Sequence, residues 1–211
     1  MKKVYFYLKL VLILIMVFLS LWFYGQLPEM VPIHWNYAGV PDDYGTKEFA
    51  VILFPAMSVG VLILFMLLPM LDPKKEKYQK FQDAYEMIQL VIMAFFTYMY
   101  AVTLFAAMNP EINVGQWVVS GIGVMLILIG NYLSKVRQNF FVGIKTPWTL
   151  ASEEVWNKTH RLGAWCFVIA GLILLVMALM GNILLELFVP AMVVALVVPI
   201  VYSYLISVKK R

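Results

Sequence analysis

Two histidines, His34 and His160, and the carboxylate pair Asp42 and Asp43 are the side chains whose types allow metal ligation or acid-base chemistry. A structural or catalytic zinc needs three or four His, Cys or carboxylate ligands at a recognisable spacing, and a general base needs a partner that orients it. His34 with Asp42 and Asp43 falls short of such a spacing, and no second histidine lies in the same segment. The single cysteine, Cys166, sits inside an apolar run, which excludes an intrachain disulfide, a CxxC redox pair and a cysteine zinc site. There is no GxSxG, HExxH, Walker or GxGD-type sequence to nominate a nucleophile or phosphate cradle. The residues therefore predict no catalytic group, no metal and no cofactor. Their simpler use is to fasten a loop, with His34, Asn36 and Asp42 bonding to the loop's own backbone; recognition of a peptide or headgroup is the other use.

The elements that must position these residues are set by composition. The chain has 211 residues, 63% hydrophobic and 13% charged, against about 45–50% and about 25% in an ordinary soluble domain. The apolar excess falls in uninterrupted runs of about twenty residues, the length a helix needs to cross roughly 30 Å of hydrocarbon. Six spans are predicted: Val4 to Tyr24, Phe49 to Leu71, Met87 to Met108, Trp117 to Leu133, Leu162 to Met180 and Leu187 to Val208. The expected fold class is all-α, a polytopic membrane helical bundle. The first run is too long for a signal-peptide core and lacks an A-x-A-like cleavage site, so it reads as a retained span. Pro55, Pro69, Pro190 and Pro199 are expected to kink spans two and six. Gly121, Gly123, Gly130 and Gly171 allow close helix contact.

Net charge is +4 and the pI about 9.0, but the placement of the charge says more than its sum. Lys2, Lys3, Lys74, Lys75, Lys77, Lys80, Lys135, Arg137, Lys145, Lys158, Arg161, Lys209, Lys210 and Arg211 all fall in segments on one face. Lys47 stands on the other, with Glu29, Asp42, Asp43, Glu48 and Glu111. The positive-inside rule then predicts both termini in the cytoplasm, with Lys9 snorkelling to the same face and no direct nucleic-acid partner. Glu86 and Glu186 lie near span ends and read as interfacial, unlike the midplane acids of an ion-coupled transporter.

Two connections carry the remaining information. In the outer loop, 25–48, Pro28, Pro32 and Pro41 hold the backbone extended while Gly39 and Gly45 supply turns, which predicts an ordered cap. Trp35, Tyr37 and Tyr44 suit the headgroup level. In the inner loop, 134–161, Pro147 disfavours helix at Thr146, and Ser152 followed by Glu153 and Glu154 predicts a helix start that runs into span five. Trp156 and His160 then share one face, toward partner helices, with Asn157 and Arg161 on the next. Lys135, Arg137, Lys145 and Arg161 suit anionic headgroups or an acidic partner surface; plain topology-setting charge is the alternative.

The stretch Pro28-x-x-Val31-Pro32-x-His34-Trp35-Asn36-x-x-Gly39-x-Pro41-Asp42, following a first span, resembles bacterial membrane proteins of the DUF1648 type. Three inner stretches resemble the C-terminal half of the SdpI immunity-protein family: Gly130-Asn131-Tyr132, Asn139-x-Phe141-x-Gly143-Ile144-Lys145-Thr146-Pro147-Trp148-Thr149-Leu150, and Glu154-Val155-Trp156-x-Lys158-Thr159-His160-Arg161. The resemblance implies a DUF1648-like half at 1–83 and an SdpI-like half at 84–211 within one membrane domain. It further implies a non-enzymatic protein of the bacterial plasma membrane that protects its producer against a secreted, membrane-active peptide toxin of the sporulation-delaying type. A second implied role is to hold a cytoplasmic winged-helix repressor at the membrane. On this reading His34, Trp35, Asn36, Gly39, Asp42 and Tyr44 meet the toxin. Asn139, Gly143, Lys145, Thr146, Pro147, Trp148, Trp156, His160 and Arg161 serve a cytoplasmic partner or lipid headgroups. The competing readings are a solute or lipid transporter with a path near Pro55, Gln89 and Pro190, and an envelope enzyme using His34 and Asp42.

Overall fold

In hydrocarbon each backbone N–H and C=O must be satisfied within its own segment, so the apolar runs fold as helices. The computed structural model describes residues 2–36 and 39–209. In chain order it contains α1 (Lys2–Phe23), β1 (Met30–Trp35), β2 (Pro41–Thr46), α2 (Lys47–Leu71), a 3-10 helix (Lys75–Phe81), α3 (Gln82–Met108), α4 (Val114–Leu133), the short α5 (Pro147–Ala151), α6 (Glu153–Leu179) and α7 (Leu185–Val208). The six longest helices are each long and apolar enough to cross a membrane. Tyr37, expected at the headgroup level, lies outside the described residues, as do Lys210 and Arg211.

The helices overrun the expected spans where polar first turns are capped. Ser152 accepts from the Val155 N–H at the head of α6, with Glu153 and Glu154 in its first turn, and Asn113 does the same for Gln116 at the head of α4. Carboxylates there face the positive end of the helix dipole. Pro55 and Pro69 lie inside α2, Pro190 and Pro199 inside α7.

α3 is the shared element: α1 and α2 pack on each other and on α3, α3 packs on α4, α4 on α6 and α6 on α7. The α4–α6 seam is the closest approach. A Cβ placed on Gly123 would lie 2.9 Å from the Gly171 carbonyl oxygen, and one on Gly171 would lie 2.5 Å from that of Gly123. Leu126, Ala170 and Leu174 fill the seam around this crossing. Met16, Ala50, Tyr100 and Leu104 form the matching core of α1, α2 and α3.

Lys9 does not snorkel. It is 3% exposed, and its Nζ donates to Glu86 Oε2 at 2.7 Å and Gln89 Oε1 at 2.6 Å on α3. A partner inside the bundle replaces the reach to water, and Glu86, near the start of α3, is that partner. The two ends of the bundle also differ. Lys74, Lys135, Arg137, Lys145 and Arg161 gather at one end, while the hairpin, the Asn109–Asn113 connection and the Gly181–Leu184 turn close the other, acid-rich end.

Candidate functional site

At the acid-rich end the prolines of the outer loop form an antiparallel hairpin, pairing Met30 with Thr46, Val31 with Gly45 and Pro32 with Tyr44. Pro32 and Pro41 fit a two-stranded ribbon because each strand has a free edge. The register breaks on either side of His34. Asn36 closes the turn: its N–H donates to the Val40 carbonyl and its carbonyl accepts from Gly39, whose φ of +77° favours glycine. Val31 is fully buried against the α1–α2–α3 core, and Trp35 packs against Val102, Ala106 and Val114. His34 Nδ1 lies 2.5 Å from Asp42 Oδ1, and Lys47 donates to Glu29 at 2.7 Å. The His34 and Asp42 side chains are 66% and 42% exposed, so the pair contributes about 0–1 kcal/mol. Among the described residues no three His, Cys, Asp or Glu side chains come together to hold a metal.

Beneath this hairpin is a cavity of about 270 Å³ between its inner face and the ends of α3 and α4, lined by Trp35, Gly39, Tyr44, Ala106 and Asn109 among others. It shares Ile112 with an apolar groove of about 370 Å³ that continues along α1, α3 and α4. The hairpin thus roofs a cavity that adjoins, at Ile112, an apolar groove on the side of the bundle.

At the basic end the inner loop is a hydrogen-bonded platform. Asn139, fully buried, uses its whole side chain: Nδ2 donates to the Arg137 and Val142 carbonyls, and Oδ1 accepts from Phe141 and Val142. Gln138 donates to the Thr149 and Leu150 carbonyls and accepts from Lys74 Nζ at 2.5 Å. Asp72, 2% exposed at the end of α2, accepts from the Phe140 N–H at 2.9 Å and from the Tyr78 hydroxyl at 3.1 Å. Thr146 and Thr149 cap α5 reciprocally, and Thr146 Oγ1 lies 3.1 Å from Ser203 Oγ of α7.

Trp156 and His160 are both fully buried, with rings stacked 4.0 Å apart. Trp156 Nε1 donates to the Val136 carbonyl. His160 Nε2 accepts from the Ile144 N–H at 3.0 Å, and Nδ1 faces the Trp156 carbonyl at 2.9 Å. Accepting at Nε2 requires the proton on Nδ1, so both ring nitrogens are occupied in holding the loop. Gly143 has φ +121°, and a Cβ on it would collide with His160 Nε2 and crowd the Trp156 ring. Gly143→Val is therefore expected to cost roughly 2–4 kcal/mol, from backbone strain and the loss of the Ile144 hydrogen bond. A lowered Tm in detergent and faster proteolysis within 134–152 would register it.

The nominated residues separate by exposure. Of the outer set, His34, Asp42 and Tyr44 are exposed while Trp35, Asn36 and Gly39 are half-buried. Of the inner set, Asn139, Thr146, Trp156 and His160 are buried, Gly143 and Trp148 half-buried, and Lys145, Pro147 and Arg161 exposed. Trp148 rests against the Tyr204 ring. The exposed residues at this end include Lys145, Arg161, Lys135, Arg137 and Phe140, while the buried ones hold the loop from within. Asp72, Gln138, Thr149 and Ser203 also hold the platform, and residue type and spacing alone do not single them out. The one cue for Asp72 is a lone carboxylate set just ahead of a run of lysines.

A six-helix polytopic bundle, capped by a hairpin at one end and a bonded platform at the other, is the class of protein this fold defines. Residues 135–203 match the SdpI/YfhL protein family, and residues 11–59 match a domain of unknown function, DUF1648, so the SdpI-family resemblance read from the two loops holds. The chain is also 27% identical over 186 residues to the immunity protein SdpI of Bacillus subtilis (strain 168), covering 88% of this chain and 87% of that protein. No solved structure matches it.

Proposed function

We propose that this chain is a multi-pass immunity protein of the bacterial plasma membrane, protecting the cell that makes it against a secreted, membrane-active peptide toxin. The toxin is met at the acid-rich end, outside the cell. The observation that carries this reading is the hairpin-roofed cavity: it offers Trp35 and Tyr44 as apolar contacts, lies at the end of the bundle that carries Glu29, Asp42, Asp43 and Glu111, and adjoins the α1–α3–α4 groove at Ile112. A peptide lodged there is kept from inserting freely into the bilayer, and aromatic anchors in a partly desolvated pocket are where recognition energy concentrates. The relative's name, immunity protein, supports protection as the role.

The test is expression in a toxin-sensitive bacterium at verified membrane abundance, scoring survival and membrane potential under a sporulation-delaying-type peptide. Wild type protects, and Tyr44→Ala, which removes an exposed ring at the cavity mouth, is expected to lower survival at least tenfold at equal abundance. Well-inserted wild type that gives no protection contradicts the reading.

The clustering of lysine and arginine supports a cytoplasmic basic end with both termini inside. There Lys145, Arg161 and Trp148 form the docking face for an acidic surface of a small winged-helix repressor. Lys145→Ala should reduce repressor capture while protection persists. Loss of capture and protection together with abundance would make the residue structural only.

A further inference from the structure

A cleft of about 460 Å³ opens between α1, α2, the 3-10 helix and the start of α3, at the basic end of the bundle. Its depth is set by Lys9 and Gln89, each 3% exposed, and its outer part by Lys75, which is exposed, and Gln82, which is half-buried. Phe65 and Met66 of α2 form a wall, and Met66 is 56% exposed on the outside of the bundle, so the cleft is open toward lipid.

A buried ion pair is weak evidence for stability, because desolvation offsets most of the Coulombic gain. An ionisable pair buried between membrane-spanning helices is a functional-site candidate by default. The Lys9 ammonium has three N–H donors, and its bonds to Glu86 and Gln89 account for two. Lys9 and Glu86 cancel, so Lys75 leaves the cleft with a net positive charge. A buried cation with spare donor capacity, a second cation at the mouth and an apolar wall continuing into lipid match one kind of molecule, with a phosphate head and hydrocarbon tails.

We propose that this cleft binds the headgroup of an anionic glycerophospholipid, its phosphodiester accepting from Lys75, Gln82 and the remaining Lys9 N–H, and its acyl chains lying along Phe65 and Met66. The inference is independent of the toxin reading.

The test uses the purified full chain in detergent, with thermal unfolding and native mass spectrometry after adding phosphatidylglycerol, phosphatidylcholine or inorganic phosphate. Phosphatidylglycerol is expected to stay bound and raise Tm by several degrees, with phosphatidylcholine and inorganic phosphate doing neither. Lys75→Gln should weaken phosphatidylglycerol binding about fivefold, the effect of one lysine near a charged lipid, while Lys135→Gln, on the same end but outside the cleft, leaves it unchanged. Lys9→Met/Glu86→Leu, which replaces the pair with apolar groups, should weaken phosphatidylglycerol binding by removing the Lys9 N–H, while the preference over phosphatidylcholine that Lys75 supplies persists. Equal binding of both lipids, equal effects of Lys75→Gln and Lys135→Gln, or tight binding of inorganic phosphate alone would overturn the proposal.

Discussion

Gly171→Leu is expected to destabilise the bundle by about 3 kcal/mol or more. The atom nearest an added Cβ at this position is the Gly123 carbonyl oxygen, followed by Ile127, so the obstacle is backbone that a rotamer change cannot clear. Overpacking a well-filled core costs about 1–3 kcal/mol, and more where backbone must shift. Against a usual total of about 5–15 kcal/mol this is a large share, and the α4–α6 seam joins α7 to the rest of the bundle. The readout is the monodisperse fraction and Tm in detergent, with Gly60→Ala as control. Gly60 lies within α2, where an added Cβ meets nothing within 4 Å, so that change should be neutral or slightly stabilising. A Gly171→Leu protein as stable as Gly60→Ala would mean that α4 and α6 do not cross this closely.

Glu86→Leu is expected to destabilise by about 3–5 kcal/mol, the cost of leaving a buried charge without its counter-ion. Lys9 would then keep only the Gln89 carbonyl oxygen, 2.6 Å away. Lys9→Met/Glu86→Leu should recover most of the loss, since apolar replacement of a buried pair is often neutral or favourable. Thermal unfolding of the wild type, both single variants and the double variant gives the coupling directly. If the two single losses simply add in the double variant, the pair is not formed.

The spans were legible because each apolar run is its own evidence, and so was the start of α6, where Ser152, Glu153 and Glu154 carry a cap and a dipole charge. The burial of Trp156 and His160 followed from their one-turn spacing. The outer prolines announced extended chain, though not its pairing as a hairpin with a register break at His34. What could not be read were contacts between elements distant in sequence. Lys9 meets Glu86, Asp72 meets Phe140, and Thr146 meets Ser203 across packing interfaces. Helical periodicity says which residues share a face without saying which faces meet. For that reason Lys9 read as a snorkelling cation, and Asn139 as a surface residue of a basic loop when it is the loop's buried organiser.

The most direct test of the central claim replaces Tyr44 with a photo-reactive phenylalanine and irradiates cells challenged with the peptide toxin, beside the same replacement at Leu172, which is 51% exposed on the outside of α6. Capture under the hairpin predicts a toxin adduct at position 44 and little at 172. Equal adducts at both positions, or none at 44 while the wild type still protects, would contradict it.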